Sequence, residues 1–202
     1  MRKLLLFALL LTCSFVRAED RPEGKYGYPT EPGAFRPSYV RSYTNGHTTW
    51  WVAEVLTADS LAHAIPRKGF TFKADPDVPK EFRVTPQDYA HSGDDRGHLG
   101  NFADGAKNEK SAAATFLMSN MVPQRKKLNE GHTKWEGLES WLRDQARDKG
   151  ATVIVFSGPA FLPNEDGIVT FRALGTHAVW EPTHCFKTAV IEYPHHIVLK
   201  TW

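Results

Sequence analysis

Most hydrophobic positions of this chain fall into short runs separated by turn residues, a pattern typical of β-strands. Residues 48–57 are dense in aromatic and branched side chains and predict one strand. Residues 151–158 form a near-continuous apolar run closed by Ser-Gly-Pro, which predicts a buried strand in the middle of a sheet. Two further strands are predicted over 184–193 and 196–202, with the sequence YPHH as the turn between them.

A helical period of hydrophobic positions is found in residues 133–149. Thr133 and Glu136 form a capping box at the start, and Gly150 ends the helix. At about 100° per residue, four apolar side chains share one stripe: Trp135, Leu138, Leu142 and Ala146. Glu139 projects on the flank of this stripe, so it lies either on an exposed rim or in a polar pocket.

The remaining elements complete the predicted fold class. A short helix is predicted over 111–118, whereas residues 19–37 are rich in Pro, Gly and charge and predict an extended lead-in with little regular structure. Strands around a few helices indicate an α+β fold, with a mixed, mostly antiparallel β core flanked by helices. Since the sequence has no internal repeat, we predict one domain over 38–202.

The amino terminus has the layout of a secretory signal peptide over residues 1–18. A basic start precedes the apolar run Leu4–Leu11, which is too short to span a bilayer, and residues 16–18 form a plausible cleavage site. A lipid anchor at Cys13 is the alternative, and Thr12 disfavours it. The segment therefore predicts a periplasmic or secreted protein with no stable membrane association after cleavage.

Cysteine content and charge limit the possible functions. The chain has 202 residues and two cysteines, and cleavage of the signal would leave only Cys185, so no internal disulfide could form. Lys and Arg number 25 against 23 Asp and Glu, and residues 1–18 hold three of the basic residues and no acid. The near-neutral remainder excludes a protein that coats nucleic acid by bulk charge, so any contact with a polyanion must be local.

The clearest candidate for chemistry is the segment DDRGHLGNFADGAKNEKS, residues 94–111. Histidine is the side chain whose ordinary pKa lies near neutrality, so His98 is a candidate base. If the segment is a strand, Arg96 and His98 project to the same side, so that a planar cation and a base face one substrate. Gly97 would leave room for the substrate's backbone. A phosphodiester would use such a set, whereas the other histidines are interpreted as ordinary surface or core residues.

Asn129 and Glu139 are candidates for binding a metal ion. Amide and carboxylate oxygens are hard ligands suited to Mg²⁺, which keeps several waters. The alternative is that Asn120 and Asn129 are turn residues and that Glu139 pairs with Arg143 four positions later, and spacing alone favours this alternative. The sequence contains no CxxC pair, HExxH motif or P-loop, so zinc and nucleoside triphosphate chemistry have no support.

Four ordered blocks, DRGHL (95–99), AATFLMSNMVPQ (113–124), LNEG (128–131) and WEGLE (135–139), resemble the DNA/RNA non-specific endonucleases. These are the ββα-metal nucleases that include endonuclease G. The segments FSGPAFLP and EPTHCFKTAVIE are similar to the downstream strands of that family. The resemblance covers roughly residues 38–193 and is more specific than the DRGH motif alone.

The resemblance implies an active site on a ββα-metal finger, Mg²⁺ or Mn²⁺ as cofactor, and DNA and RNA as substrates contacted through the phosphate backbone. It assigns roles by position: His98 as general base, Asn129 as the direct metal ligand, Glu139 as the acid that orients metal-bound waters, Arg96 as a catalytic and phosphate-contacting arginine, Asn120 as an asparagine supporting catalysis, Arg67 as an upstream phosphate-binding arginine, and Asp95 and Gly97 as structural support.

Two departures from the family pattern keep other functions open. The stretch between Asn129 and Glu139 is longer than usual, and the chain stops at Trp202, which predicts a C-terminally shortened domain. The second hypothesis is therefore a catalytically inactive relative that binds nucleic acid or a protein partner. A third is a metal-dependent phosphodiesterase acting on small substrates. The sequence does not determine whether the protein forms a homodimer or binds an inhibitor protein.

Overall fold

The computed structural model describes residues 21–42, 44–129 and 135–202, so the predicted signal peptide and Thr133 lie outside the described residues. Its main element is a six-stranded sheet in the order β1-β2-β3-β6-β9-β10, and every neighbouring pair is antiparallel. The strands of this sheet are β1 (Pro32–Phe35), β2 (Val40–Ser42), β3 (Val52–Leu56), β6 (Thr152–Ala160), β9 (His184–Glu192) and β10 (Ile197–Thr201).

Two small two-stranded sheets and five helices complete the described part of the chain. The small sheets pair β4 (Asp94–His98) with β5 (Met121–Arg125) and β7 (Ala173–Leu174) with β8 (Val179–Trp180). The helices are α1 (Ala58–Leu61), α2 (Phe102–Gly105), α3 (Glu109–Thr115), α4 (Lys126–Asn129) and α5 (Trp135–Lys149). Across the described residues, no helix is long and apolar enough to cross a membrane.

The core lies on both faces of β6, which is buried along most of its length. On one face, Val153 and Val155 pack against Leu142 and Ala146 of α5. Burying a side chain of this size stabilises the fold by roughly 1.5–3 kcal/mol relative to leaving it exposed. Ile154 belongs to the cluster on the opposite face, so the alternation along β6 joins α5 to the rest of the molecule.

The predicted fold class is confirmed, although some boundaries differ. The strand that was expected to end at Ser-Gly-Pro continues through Gly158 to Ala160. A Cβ at position 158 would lie 2.3 Å from the carbonyl oxygen of Trp50, so the glycine allows a close approach of two chain segments inside the sheet. The short helix begins at Glu109 because the side chain of Asn108 accepts a hydrogen bond from the backbone of Ser111.

The prediction that residues 19–37 have little regular structure is wrong in part. Pro32–Phe35 forms the edge strand β1, which pairs with β2. Composition suggested a loop because Pro and Gly usually punctuate turns, but an edge strand tolerates proline, here as its first residue. The lead-in is therefore part of the sheet.

A buried carboxylate, Asp75, connects this edge of the sheet to the segment that follows α3. Its oxygens lie 2.6 Å from Nη2 of Arg36 and 3.3 Å from Nη2 of Arg41, and it also accepts a hydrogen bond from Ser119. The side chain is 1% exposed, so the two guanidinium groups and the hydroxyl replace its water.

A second buried carboxylate, Asp88, joins the 3₁₀ turn Pro86–Tyr89 to the loop between β7 and β8. It accepts hydrogen bonds from the backbone and side chain of Thr85, and from the backbone and ring Nδ1 of His177. Burial by itself would raise the pKa of Asp88, but these hydrogen bonds outweigh it and lower the pKa to about 2.

Candidate active site

Strands β4 and β5 form the antiparallel pair that carries the DRGH segment, with Arg96 opposite Pro123 and His98 opposite Met121. Arg96 and His98 both line one cavity, because residues two apart in a strand share a face. Gly97 faces away from it, and a Cβ there would lie 2.2 Å from the side chain of Gln124. The space left by the glycine is thus filled by Gln124, not left open for a substrate as the sequence analysis expected.

The cavity has a volume of about 370 Å³ and lies between β4, α2 and α5. Residues from distant parts of the chain line it: Arg67, Arg96, His98, Asn101, Phe102, Ala103, Asn129, Trp135, Glu136, Glu139 and Arg143. The structure therefore brings five of the predicted site residues together. The longer stretch between Asn129 and Glu139 does not separate them, although residues 130–134 within it lie outside the described part of the chain.

His98 is neutral at physiological pH in this environment. Burial, together with the positive charge of Arg67, lowers the pKa of His98 to about 3. The rings of Phe72 and Phe116 have centroids 5.7 and 5.4 Å from the imidazole centroid and hold it in place. Its Nε2 is buried and has no hydrogen-bond partner among the described residues. A neutral imidazole with such a nitrogen can accept a proton or a hydrogen bond from a molecule in the cavity.

Two guanidinium groups supply fixed positive charge. Arg96 donates from Nη2 to the carbonyl oxygen of Pro86 at 3.0 Å and lies 5.1 Å from the ring centroid of Phe72, whereas its Nε is buried without a partner in the described structure. Arg67 lies 5.4 Å from the ring centroid of Phe116. Both cations are held against aromatic faces, which leaves donors available for an anion.

Asn129 is held in one orientation by Asp95. Its Nδ2 donates to Oδ2 of Asp95 at 3.0 Å, which directs the amide oxygen, the hard donor, away from that carboxylate. Among the described residues, no group of three or more His, Cys, Asp or Glu could hold a metal ion. The donor set therefore fits an ion that takes one amide ligand and keeps most of its waters, as Mg²⁺ does, and does not fit a closed zinc site.

Glu139 points inward and does not pair with Arg143 among the described contacts, so the part of the alternative that paired these two residues is wrong. Its side chain is buried, with Oε1 3.3 Å from Nζ of Lys187 and Oε2 accepting from Nδ2 of Asn101. Arg143 instead lies 3.2 Å from Oδ1 of Asp104. One helical turn on α5 thus presents a carboxylate and a guanidinium to the same cavity.

Asn120 lies behind the cavity and does not line it. The side chain is fully buried; it accepts from the backbone N–H of Gly100 at 2.8 Å and donates to the carbonyl oxygens of Gly100 and Thr115 at 2.8 and 2.9 Å. These bonds fix the chain immediately after His98. Any effect of Asn120 on chemistry would act through that backbone.

The sequence analysis missed four polar residues of the site, among them Glu136, which lines the cavity. Asn101 and Arg143 line the cavity, and Lys187 contacts Glu139 from behind. Arg143 could have been found from its position one turn after Glu139. Lys187 carried a weaker signal, since it occupies a core-facing position of a strand whose same-face neighbours are apolar.

A larger groove of about 600 Å³ lies beside β5 and is lined in part by Arg125, Arg172 and Glu181. Both arginines are paired with Glu181, and Arg172 also pairs with Asp94. Its cations are therefore already engaged, whereas the smaller cavity holds buried nitrogens that lack partners. The smaller cavity is the better candidate.

The same arrangement, a large antiparallel sheet with a small two-stranded sheet and a helix at its flank, has been found in another protein. The solved structure of the EndoG/EndoGI complex, which concerns EndoG inhibition, has this fold. It aligns with a TM-score of 0.81 and 32% sequence identity, covering 88% of this chain and 76% of that chain.

The chain belongs to the DNA/RNA non-specific endonuclease family, whose profile matches residues 20–199. It is 37% identical to the mitochondrial nuclease EXOG of Danio rerio, over 84% of this chain and 50% of that protein. It is 40% identical to nuclease C1 of Cunninghamella echinulata var. echinulata, over 77% and 64%, and 35% identical to mitochondrial endonuclease G of Homo sapiens, over 83% and 58%. The chain thus spans about half to two thirds of the length of these relatives, and the resemblance inferred from the sequence is confirmed.

The prediction of a periplasmic or secreted protein is wrong. Several relatives are named as mitochondrial nucleases, including those from Danio rerio, Caenorhabditis elegans, Saccharomyces cerevisiae and Homo sapiens. The prediction rested on the composition of residues 1–18 alone, a basic start followed by an apolar run. Dependence on a divalent metal ion agrees with the family, whereas magnesium in particular stays a prediction.

Proposed function

We propose that this chain is a divalent-metal-dependent endonuclease that hydrolyses phosphodiester bonds of DNA and RNA. His98 acts as general base, Asn129 is the protein ligand of Mg²⁺, and Glu139 orients the waters of that ion. The observation that carries the proposal is a pair of buried nitrogens, His98 Nε2 and Arg96 Nε, that have no hydrogen-bond partner in the described part of the chain; both residues line the same cavity as Asn129 and Glu139. Among the described residues, this cavity combines a neutral base, fixed cations and an oriented hard donor.

The reaction requires a base that is unprotonated at working pH. His98 meets this condition because burial and the charge of Arg67 hold its pKa well below neutrality. Nε2 of His98 takes a proton from water as the water oxygen attacks phosphorus and the bond to the leaving oxygen breaks. The surrounding rings keep the imidazole from turning, so the nitrogen stays aimed at the substrate.

Arg96 and Arg67 bind the phosphate and stabilise the negative charge that grows on its oxygens in the transition state. Their positions are preorganised by aromatic contacts, so little reorganisation is needed when the substrate binds. A divalent ion, when bound, supplies Lewis-acid stabilisation of the same charge and of the leaving oxygen. Contacts of this kind are made to the sugar–phosphate backbone and do not depend on the base, which supports action on both DNA and RNA.

Replacing the base tests the proposal. We expect His98→Ala to lose nearly all cleavage of plasmid DNA and of RNA in Mg²⁺, since a general base contributes roughly 10²–10⁴-fold to the rate. Its melting temperature should stay close to that of the wild type. His63→Ala, which removes an exposed histidine, is the matched control and should cleave normally. Cleavage by His98→Ala at the wild-type rate would refute the proposal.

The same preparation separates the remaining alternatives. Wild-type protein that retards nucleic acid on a gel without cutting it, with Mg²⁺ present, would favour the inactive binding module. Rapid turnover of a small phosphodiester such as bis(p-nitrophenyl) phosphate, with polynucleotide left intact, would favour the small-substrate phosphodiesterase. Loss of cleavage on adding a chelator, and its return on adding Mg²⁺ or Mn²⁺, would support the metal requirement.

A further inference from the structure

Lys187 is a buried lysine on β9, the strand between β6 and β10 of the large sheet. Its residue is 1% exposed and lies on the same face of β9 as the buried residues Ala189 and Ile191. Moving an ammonium group out of water costs several kcal/mol unless it is paired. An apolar side chain would serve the core at this position without that cost, so the charge calls for an explanation outside sheet packing.

The contacts of Lys187 lead to the candidate active site. Its Nζ lies 2.7 Å from Oγ of Ser157, 3.4 Å from the carbonyl oxygen of Leu99 and 3.3 Å from Oε1 of Glu139. Three acceptors match the three N–H groups of an ammonium. The cation also lies 4.7 Å from the ring centroid of Trp135, which lines the cavity. Two of these four contacts are thus with residues of the cavity wall, and a third is with the residue that follows His98.

We propose that Lys187 is a positioning residue of the nuclease site: it holds the side chain of Glu139 facing the cavity and anchors the backbone next to His98. The inference rests on the proposed function and deepens it. Lys187 does not line the cavity, so it acts through Glu139 and Leu99 and not on the substrate.

The surrounding charges explain why Glu139 needs this cation. Glu54 and Asp104 are buried nearby. Burial raises the pKa of Glu54 well above its ordinary range; for Asp104, burial and the charge of Glu139 raise the pKa to about 6, although Arg143 opposes the shift. Arg143 is engaged with Asp104, which leaves Lys187 as the cation paired with Glu139 in the described structure.

Both oxygens of Glu139 are therefore held from the protein side. Lys187 contacts Oε1, and Asn101 donates to Oε2. A carboxylate oxygen has two lone pairs, so each oxygen can still accept a hydrogen bond from water in the cavity. Without the ammonium, Glu139 would face two other acids with one contact fewer, and its orientation would be lost.

The test replaces Lys187 with methionine, an unbranched side chain one atom shorter than lysine that carries no charge. We expect Lys187→Met to weaken Mn²⁺ binding to the substrate-free protein, as measured by electron paramagnetic resonance. The variant should also need a higher Mg²⁺ concentration for half-maximal cleavage. Mutating a residue outside the direct ligands of a metal ion typically changes the metal affinity by roughly 10–100-fold, and we expect an effect of this size. KM for DNA should change little. Lys200→Met is the matched control, since it removes an exposed lysine that also lies over a tryptophan ring, and should behave as wild type.

A second background separates positioning from general stability. In Glu139→Gln protein, adding Lys187→Met should cause no further loss of metal binding, because the partner carboxylate is already gone. Equal fold-losses in both backgrounds would overturn the inference. If Lys187→Met folds only together with Glu139→Gln, the pairing is supported; failure to fold in both backgrounds makes Lys187 a structural residue and overturns it. The proposed function is tested separately by His98→Ala. If that variant is inactive but Lys187 and Glu139 show no coupling, only the positioning role is rejected.

Discussion

The hydrogen bond between Asp95 and Asn129 gives a prediction about metal affinity. Replacing Asp95 with alanine removes the acceptor for Nδ2 of Asn129, which lies 3.0 Å away. The amide can then rotate, and its oxygen faces the cavity only part of the time. We expect Asp95→Ala to bind the divalent ion more weakly while the fold persists, because Asp95 is half-buried and its loss leaves no cavity in the core.

The size of the effect follows from the kind of bond. A hydrogen bond to a charged group contributes about 1.5–3 kcal/mol, and the partial exposure of both side chains favours the lower end. Since 1.4 kcal/mol corresponds to about a factor of ten in an equilibrium constant, the Mg²⁺ concentration for half-maximal cleavage should rise roughly tenfold. Saturating Mg²⁺ should restore most of kcat, because the amide ligand itself is still present.

The assay is a Mg²⁺ titration of plasmid cleavage, accompanied by thermal unfolding of each variant. Asp95→Asn is the matched control, since its side-chain oxygen can still accept the hydrogen bond, and it should shift the titration less than alanine does. Asn129→Ala should remove the ligand outright. A titration of Asp95→Ala that superimposes on the wild type, while Asn129→Ala is inactive, would refute the reasoning that orientation of the amide matters.

Two predictions concern stability. Asp75→Ala should lower the free energy of unfolding in urea by about 3–5 kcal/mol, because it leaves the buried charges of Arg36 and Arg41 without their shared partner. Asp77 is a more exposed partner of Arg36, so Asp77→Ala should lower the free energy of unfolding by less than about 1 kcal/mol. Equal losses in the two variants would contradict the argument. Asp88, whose folded pKa of about 2 lies below its ordinary value of 3.8, contributes stability that is complete above about pH 4 and is lost as the pH falls toward 2. Asp88→Asn should therefore reduce the change of the urea midpoint with pH across that range. A pH dependence equal to that of the wild type would show that other groups dominate.

Local sequence patterns predicted much of the architecture. Runs of apolar residues predicted the strands Val52–Leu56 and Thr152–Ala160, and a helical period of apolar residues predicted the long helix α5. Both patterns depend on local side-chain chemistry. Edge strand β1 was not predicted because its Pro- and Gly-rich sequence is typical of a loop. It forms a strand through its hydrogen bonds to β2, which the local sequence does not indicate. Localisation was predicted from the composition of residues 1–18 alone, and that prediction disagrees with the names of several relatives.

The site divides in the same way. The sequence by itself determined which residue types were available, because His98 and Arg96 are two positions apart in one strand and so must share a face. Only the tertiary structure decided that Glu139 turns inward to Lys187 and Asn101, not outward to Arg143, and that Gln124 occupies the space beside Gly97. Spacing along a chain fixes direction within one element, whereas burial, charge pairing and pKa depend on which distant elements pack together.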